Sequence, residues 1–223
     1  MPVPAKSPWI VSLAMVALAA GFIVARFLIP AEQAALEPVN ATWLRAPRPL
    51  PEFELLSHSG QAFRKENLAG NWSILFFGFT HCPDICPTTL ATLNRVVGGI
   101  ADQGKRQPRV IFVSVDPMRD SVEKLAAYVP YFNPEFIGVT GEFANIQNLT
   151  RELGVAVRYS PTRQALTGQD GEPQNDTVDQ SYTVDHSTTL FLVDPAGRLS
   201  GIFGAPHIAE QIIDDFLIIT GQT

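Results

Sequence analysis

The two cysteines of the chain, Cys82 and Cys86, lie close together in the segment 78–87 (GFTHCPDICP). The apolar run 73–77 before it is typical of a strand that is buried on both faces. After it, apolar residues recur at helical spacing, and proline is favoured in the first helical turn, so a helix is predicted to begin near Pro87. We therefore expect both thiols on a loop between a buried strand and a helix N-terminus.

Thiols at such a place can do redox or metal chemistry. The free N–H groups and the dipole of a helix N-terminus stabilise a thiolate, which is the form that attacks disulfides and binds metals. We expect this effect at Cys86, at or beside the helix cap. A structural disulfide and a pair of inert buried thiols are the alternatives. The disulfide is disfavoured because so small a loop constrains little chain.

The pattern of the surrounding elements predicts an α/β fold with a mixed sheet. A thioredoxin-like fold keeps its active site on the first core strand-to-helix loop, and ligands gather at the carboxyl ends of strands in open α/β sheets. Residues 160–180 are polar and are predicted to form an exposed loop. The expected elements are a hairpin at 53–63, strands at 109–115, 136–139, 155–159, 188–194 and 199–203, a helix from 121 that stops before Pro130, and helices at 142–153 and 208–219.

A third candidate group is His186, in the segment before the strand 188–194. In a thioredoxin-like sheet the loop before this late strand passes beside the cysteine loop. A structural histidine bonded to Asp185 is the alternative interpretation. Two thiolates and one imidazole form a soft set of three donors that suits Cu(I) and accepts Cu(II), whereas a structural zinc site usually has four protein ligands.

The other three histidines are predicted to lie outside this set. His58 falls in the turn of the first hairpin and is expected to be solvated, and His207 is expected to be exposed near the start of the last helix. His81 is next to Cys82, but neighbouring residues in a turn seldom bind one metal together.

The N-terminal segment is predicted to be a membrane anchor. Residues 9–25 carry no charge, and the apolar character continues past Arg26 to Pro30. About 20 apolar residues span a bilayer, and secretory signal peptides usually have a shorter apolar core of about 7–15 residues. An uncleaved transmembrane helix is therefore preferred to a cleaved signal peptide.

The charges around this segment predict its orientation and the domain organisation. Lys6 precedes the span and Glu32 follows it, which places the N-terminus in the cytoplasm. In a bacterium the chain would be a single-pass inner-membrane protein with its domain in the periplasm. We expect an anchor at 1–30, a proline-containing linker at 31–50 and one thioredoxin-like domain at 51–223.

The charge balance argues against nucleic acid as a partner. The chain carries a net charge of −6, and Lys6 and Arg26 are the charged side chains of residues 1–30. The exported part therefore holds 14 basic and 22 acidic residues, a net charge of −8. Such a surface repels phosphate backbones and favours basic or neutral partners.

Four motifs together resemble the SCO/SenC family of copper-binding assembly factors. The likeness runs from about residue 50 to the C-terminus, with the motifs in the family's order and spacing: 78–87, 113–120 (VSVDPMRD), 138–141 (GVTG) and 184–187 (VDHS).

The resemblance implies a thioredoxin-like domain tethered to the inner membrane. It implies that Cys82, Cys86 and His186 bind copper, as Cu(I) or Cu(II). It further implies delivery of that copper to cytochrome c oxidase, chiefly to the dinuclear site of subunit II. Asp116 and Asp185 match acidic positions of the family, with an expected role near the metal ligands or in partner docking.

Three functions follow as hypotheses. The first is a copper metallochaperone. It would need a thiol reductant, because the periplasm is oxidising. Other periplasmic copper chaperones are expected as further partners. A thiol–disulfide oxidoreductase that reduces the cysteines of the oxidase copper site is the alternative, although its cysteines are separated by three residues rather than two. A peroxidase of the same fold is the third. Enzymatic activity is thus expected only if the cysteines act as a redox pair.

Overall fold

The computed structural model describes residues 37–161 and 182–222, together with Trp9, Met15, Ala17 and Leu18. The chain divides into two compact units, 1–36 and 37–223. Most of the predicted anchor and most of the predicted loop 160–180 lie outside the described residues. Within the described part, none of the helices has the length and apolar character needed to cross a bilayer.

The second unit alternates strands and helices as the sequence predicts. A 3-10 helix covers Lys65–Leu68. The α-helices are α1 (Ile85–Asp102), α2 (Val122–Phe132), α3 (Phe143–Leu153) and α4 (Ala209–Thr220). The strands are β1 (Ala41–Pro49), β2 (Glu54–Ser57), β3 (Ala62–Arg64), β4 (Ser73–Gly78), β5 (Arg109–Ser114), β6 (Ile137–Thr140), β7 (Val157–Pro161), β8 (Tyr182–His186), β9 (Leu190–Val193) and β10 (Arg198–Phe203).

Eight of these strands form one mixed sheet in the order β1-β10-β9-β4-β5-β6-β2-β3. Strands β4, β5 and β6 run parallel, and β9 pairs antiparallel with β4. Every residue of β4 is buried, as a continuous apolar run in a central strand requires. The predicted thioredoxin-like α/β fold is confirmed, and β4 delivers the cysteine segment to the carboxyl edge of the parallel strands.

The remaining two strands, β7 and β8, form a separate antiparallel ribbon. Its register places Val157 opposite His186, the last residue of β8. The sequence predicted a strand at 155–159 but placed His186 in a loop. The structure differs from this prediction in that residues 182–186 form strand β8, which ends at the candidate ligand His186.

The stretch 41–49 was predicted to belong to a linker without regular structure, and that prediction is wrong. Strand β1 pairs with β10 along this stretch, with a register shift between Trp43 and Arg48. Prolines suit such an edge strand, because one side of it needs no ladder donors. The prolines therefore mark an edge and not an unstructured segment.

Two helix boundaries also differ from the sequence prediction. Helix α1 begins at Ile85, so Pro87 is its third residue and not its first. Helix α2 continues through Pro130 to Phe132 instead of stopping before the proline. A proline so close to a helix end removes a single hydrogen bond of the last turn, which the packing of α2 tolerates.

Candidate metal centre

The cysteine segment turns sharply from β4 into α1. The Cys82 N–H donates to the carbonyl of Phe79 at 3.3 Å. The Cys86 N–H belongs to the first turn of α1 and therefore has no carbonyl partner within the helix. It donates to the Sγ atom of Cys82 at 3.4 Å. This N–H of the helix N-terminus is therefore directed at the sulfur of Cys82, whereas the sequence predicted that the N–H groups of the helix cap would act on Cys86.

Both cysteines are free thiols within the described fold, so the structural-disulfide alternative is not realised. Cys86 is completely buried and Cys82 is 8% exposed. Burial raises the pKa of the Cys86 thiol well above its ordinary value. The bare thiolate is disfavoured there, and a bound cation is what would compensate it.

His186 completes the group from the end of β8. Its Nδ1 atom lies 2.9 Å from the Ser187 carbonyl. A carbonyl oxygen only accepts hydrogen bonds, so Nδ1 carries the proton and Nε2 keeps a free lone pair. That Nε2 atom lies 3.5 Å from the Sγ atom of Cys86.

The surroundings keep this imidazole neutral. Burial lowers the pKa of His186 below its ordinary value. The rings of Phe79 and Phe76 pack against it, with centroids at 5.7 and 6.4 Å. The Asp185 side chain is exposed, and the ring bonds instead to the Ser187 carbonyl. A neutral histidine whose unprotonated Nε2 lies beside the two thiols can act with them as a metal ligand.

The three donor atoms of Cys82, Cys86 and His186 all lie within 4.8 Å of one another. Metal–sulfur and metal–nitrogen bonds of about 2.0–2.3 Å, as in zinc sites, place trigonal ligands about 3.5–4 Å apart. The observed spacing therefore fits one metal ion with small side-chain movements. The donor set, two sulfurs and one imidazole nitrogen, matches a soft ion such as copper.

Gly78 makes this close arrangement sterically possible. A Cβ atom at this position would lie 2.9 Å from the Cys86 Sγ atom and 2.7 Å from the Phe112 ring. Both distances are shorter than real Cβ contacts. The last residue of β4 must therefore be glycine if the thiol is to sit against the strand.

The other histidines lie elsewhere, and two of them are less exposed than predicted. His81 stays outside the donor group, as predicted, with its ring near Thr80 and Lys124. His58 is half-buried, and its Nδ1 atom accepts a hydrogen bond from the Gly138 N–H at 2.8 Å. His207 is half-buried and donates from Nε2 to the Thr188 carbonyl at 2.7 Å. The predictions of a solvated His58 and an exposed His207 are therefore wrong.

Sequence reasoning assigned no role to Asp120, which secures the cysteine segment. Its carboxylate accepts from the Thr80 N–H at 3.0 Å, the Thr80 hydroxyl at 2.5 Å and the Ser114 hydroxyl at 2.6 Å. Desolvation raises its pKa, and these hydrogen bonds oppose the rise. Its position just beyond β5, at the same sheet edge as the cysteines, is the sequence feature that could have indicated this role.

Comparison with known proteins identifies the family. The SCO1/SenC family model matches residues 44–219, which include the cysteine segment and His186. The chain belongs to the SCO1/SenC family. A relative from Stutzerimonas stutzeri is 36% identical over 189 residues, covering 82% of this chain and 85% of its own.

Two further proteins similar to this chain are a mitochondrial homolog and a solved structure that contains copper. The mitochondrial SCO2 homolog of Homo sapiens is 37% identical over 164 residues, which cover 73% of this chain and 56% of the human protein. This chain thus spans just over half of that relative's length. The crystal structure of Arabidopsis thaliana ScoI with copper bound superimposes with a TM-score of 0.67 at 32% identity, covering 78% of this chain and 98% of that one.

Proposed function

We propose that this SCO1/SenC protein is a copper metallochaperone. It binds copper through Cys82, Cys86 and His186 and delivers it to cytochrome c oxidase during assembly, chiefly to the copper site of subunit II. The observation that carries the proposal is the convergence of two sulfurs and one imidazole nitrogen within 4.8 Å of one another. The copper bound by the related ScoI structure supports the choice of metal.

The geometry suits a metal that must leave again. Two thiolates and Cu(I) leave a net charge of −1, which holds the cation against loss to water. Three ligands leave one face of a copper ion open to a further donor. Cys86 is completely buried, Cys82 is 8% exposed and His186 is half-buried. In this proposal an acceptor thiol approaches the copper past the two more accessible ligands, Cys82 and His186, and replaces the ligands one at a time.

The proposed setting is the periplasmic side of a bacterial inner membrane, with residues 1–30 as the tether. Copper loading then requires both cysteines in the reduced state, because a disulfide supplies no thiolates. A thiol reductant and other periplasmic copper chaperones are the further partners of this proposal. The net charge of the exported part disfavours nucleic acid.

Replacement of the histidine ligand tests the metal site. His186→Ala in the purified chain should lower copper affinity tenfold or more, because it removes one of three ligands, while the far-UV circular dichroism stays that of the wild type. His81→Ala is the matched control, since it removes an exposed histidine beside Cys82 that lies outside the donor group. Unchanged copper affinity and stoichiometry in His186→Ala would remove His186 from the site.

A thiol–disulfide oxidoreductase is the second candidate, and one contact favours it. The Cys86 N–H donates to the Sγ atom of the more exposed Cys82, which would make Cys82 the attacking thiolate. Reduction of a disulfide-bonded peptide from the oxidase copper site measures this activity directly. His186→Ala should spare exchange and abolish copper delivery. Loss of both activities in that variant would contradict a separate redox function.

A further inference from the structure

The β7–β8 ribbon carries one copper ligand but pairs with none of the described strands of the large sheet. Just beyond the paired ends of the two strands, the Ser187 N–H donates to the Ala156 carbonyl at 3.0 Å, next to His186. This contact lies between the two strand ends, so the position of the ribbon on the domain depends on side chains, among them the buried Val184. The question is which side chains hold His186 over the cysteines.

The turn 115–120 between β5 and α2 supplies those contacts. The Tyr159 hydroxyl of β7 donates to the Val115 carbonyl. The Tyr182 hydroxyl of β8 donates to the Asp116 carboxylate. Arg119 donates from Nη1 to the Tyr182 carbonyl at 3.1 Å, and its guanidinium lies 4.1 Å from the centre of the Tyr182 ring. Both strands of the ribbon are therefore bound to one turn.

Arg119 is itself held rigidly. Its Nε atom donates to the Asp116 carboxylate at 2.5 Å, and the two side chains are 5% and 0% exposed. A buried arginine with such a partner has a single defined orientation, because any other leaves buried charge unpaired. Its guanidinium also lies 5.9 Å from the centre of the Phe79 ring, which packs nearly perpendicular to the His186 ring.

The same turn holds the cysteine segment. Asp120, next to Arg119, accepts two hydrogen bonds from Thr80, two residues before Cys82. One short turn thus contacts both parts of the chain that bring ligands together. Asp120 bonds to Thr80 in the segment that carries the thiols, and Arg119 bonds to Tyr182 in the strand that carries the imidazole.

We propose that Arg119 is a positioning residue for the copper site, which places His186 by fixing Tyr182 and the ribbon. This inference rests on the proposed copper-binding function. Without the guanidinium, the ribbon can move away from the cysteine segment, and copper keeps its two thiolates but loses the imidazole. Arg119 therefore acts on copper affinity through the position of His186.

A double-mutant cycle on the 223-residue chain in detergent tests this coupling. Cu(I) is titrated into reduced wild type, Arg119→Gln, His186→Ala and the double variant. Arg119→Gln should lower Cu(I) affinity fivefold to tenfold in the wild-type background. It should change the affinity less than twofold in the His186→Ala background, because the ligand that it positions is already gone.

Two further measurements separate positioning from general damage. Arg119→Gln should weaken the nitrogen hyperfine splitting in the EPR spectrum of the Cu(II)-loaded chain. In the metal-free chain it should speed amide exchange over 182–187 while leaving β4 and β5 protected. Tyr182→Phe, which keeps the ring and loses the hydroxyl bond to Asp116, is the milder variant and should give a smaller loss in the same direction if Arg119→Gln fails to fold.

The matched control is Arg198→Gln, which removes a second arginine–aspartate pair. Arg198 contacts Asp194 at 2.7 Å in the turn after β9. This end of β9 pairs with Ser73 at the start of β4, so the pair lies at the opposite end of β4 from Gly78 and the cysteine segment. It should leave copper affinity and the EPR spectrum unchanged.

The outcomes are distinct. Unchanged affinity in Arg119→Gln, an equal loss in the His186→Ala background, or unchanged amide exchange over 182–187 each overturns the positioning role. A wild-type chain that binds no copper overturns the proposed function, while the exchange measurement still decides whether Arg119 holds the ribbon.

Discussion

Adding a single methyl group at Gly78 should lower both the stability of the fold and its affinity for copper. An added methyl group would lie within 3 Å of both the Cys86 sulfur and the Phe112 ring. Gly78→Ala should therefore destabilise the fold by about 1–3 kcal/mol, the usual cost of overpacking a core. It should also lower copper affinity, because the Cys86 sulfur must move. Chemical denaturation and copper titration measure the two effects.

Gly98 provides the control for that substitution. It lies inside α1, and a Cβ atom there would have open space around it. Gly98→Ala should raise stability by about 0.5–1 kcal/mol, since alanine is the better helix former. A Gly78→Ala variant as stable as Gly98→Ala would show that the cysteine loop adapts freely.

His58 should make stability depend on pH. Burial lowers its pKa below the ordinary 6.5, and its Nδ1 atom must stay unprotonated to accept from Gly138. The unfolded chain then binds a proton more readily, so the free energy of unfolding falls as the pH drops below about 6.5, and the full stability is present above it. His58→Asn, which keeps an acceptor and cannot titrate, should show a shallower fall.

Denaturation curves between pH 5 and 8 for the wild type and His58→Asn measure this difference. Part of the fall should persist in the variant, because burial also lowers the pKa of His186. Identical pH profiles for the two proteins would mean that His58 takes up its proton equally well in the folded and unfolded states.

Strand β1 owes its start to a single carboxylate in helix α4. Asp215 is 1% exposed and accepts from the N–H groups of Val39, Asn40 and Ala41 at 2.8, 2.7 and 2.6 Å. Hydrogen bonds to a charged group contribute about 1.5–3 kcal/mol each in favourable cases. Asp215→Asn loses the charge and one acceptor oxygen, so it should destabilise the domain and free the start of β1.

Amide exchange at residues 39–41 and the denaturation midpoint report this effect. The neighbouring Asp214 is exposed, and Asp214→Asn makes the same chemical change without touching β1. Exchange at 39–41 that stays as slow in Asp215→Asn as in Asp214→Asn would contradict the role of Asp215.

These elements show what local sequence patterns can and cannot predict. The strand β4, the helix α1 and the position of the two cysteines follow from apolar runs and helical spacing, which act over a few residues. Strand β1 was missed because its partners, β10 and Asp215, lie about 150 residues or more away along the chain. His186 was predicted to be a ligand and was placed in a loop, because β8 is defined by its pairing with β7.

The metal site itself depends on the fold as a whole. Cys82 and Cys86 are four residues apart and can approach each other without the rest of the fold, whereas His186 is a hundred residues from Cys86 and joins them only in the folded chain. The unfolded protein can therefore bind copper with two thiolates. What the fold adds is the imidazole, and that addition links copper binding to folding stability.

This linkage gives a prediction for thermal unfolding. A tenfold affinity difference corresponds to about 1.4 kcal/mol, and each kcal/mol shifts the Tm of a domain of this size by about 2–4 °C. Saturating Cu(I) should therefore raise the Tm of the reduced wild type by about 3–6 °C more than that of His186→Ala. The comparison needs anaerobic calorimetry with buffered Cu(I), and a chain with its cysteines oxidised should show no shift at all. Equal shifts in the two proteins would mean that the folded state gains nothing from the histidine, and that copper is held by the cysteines alone.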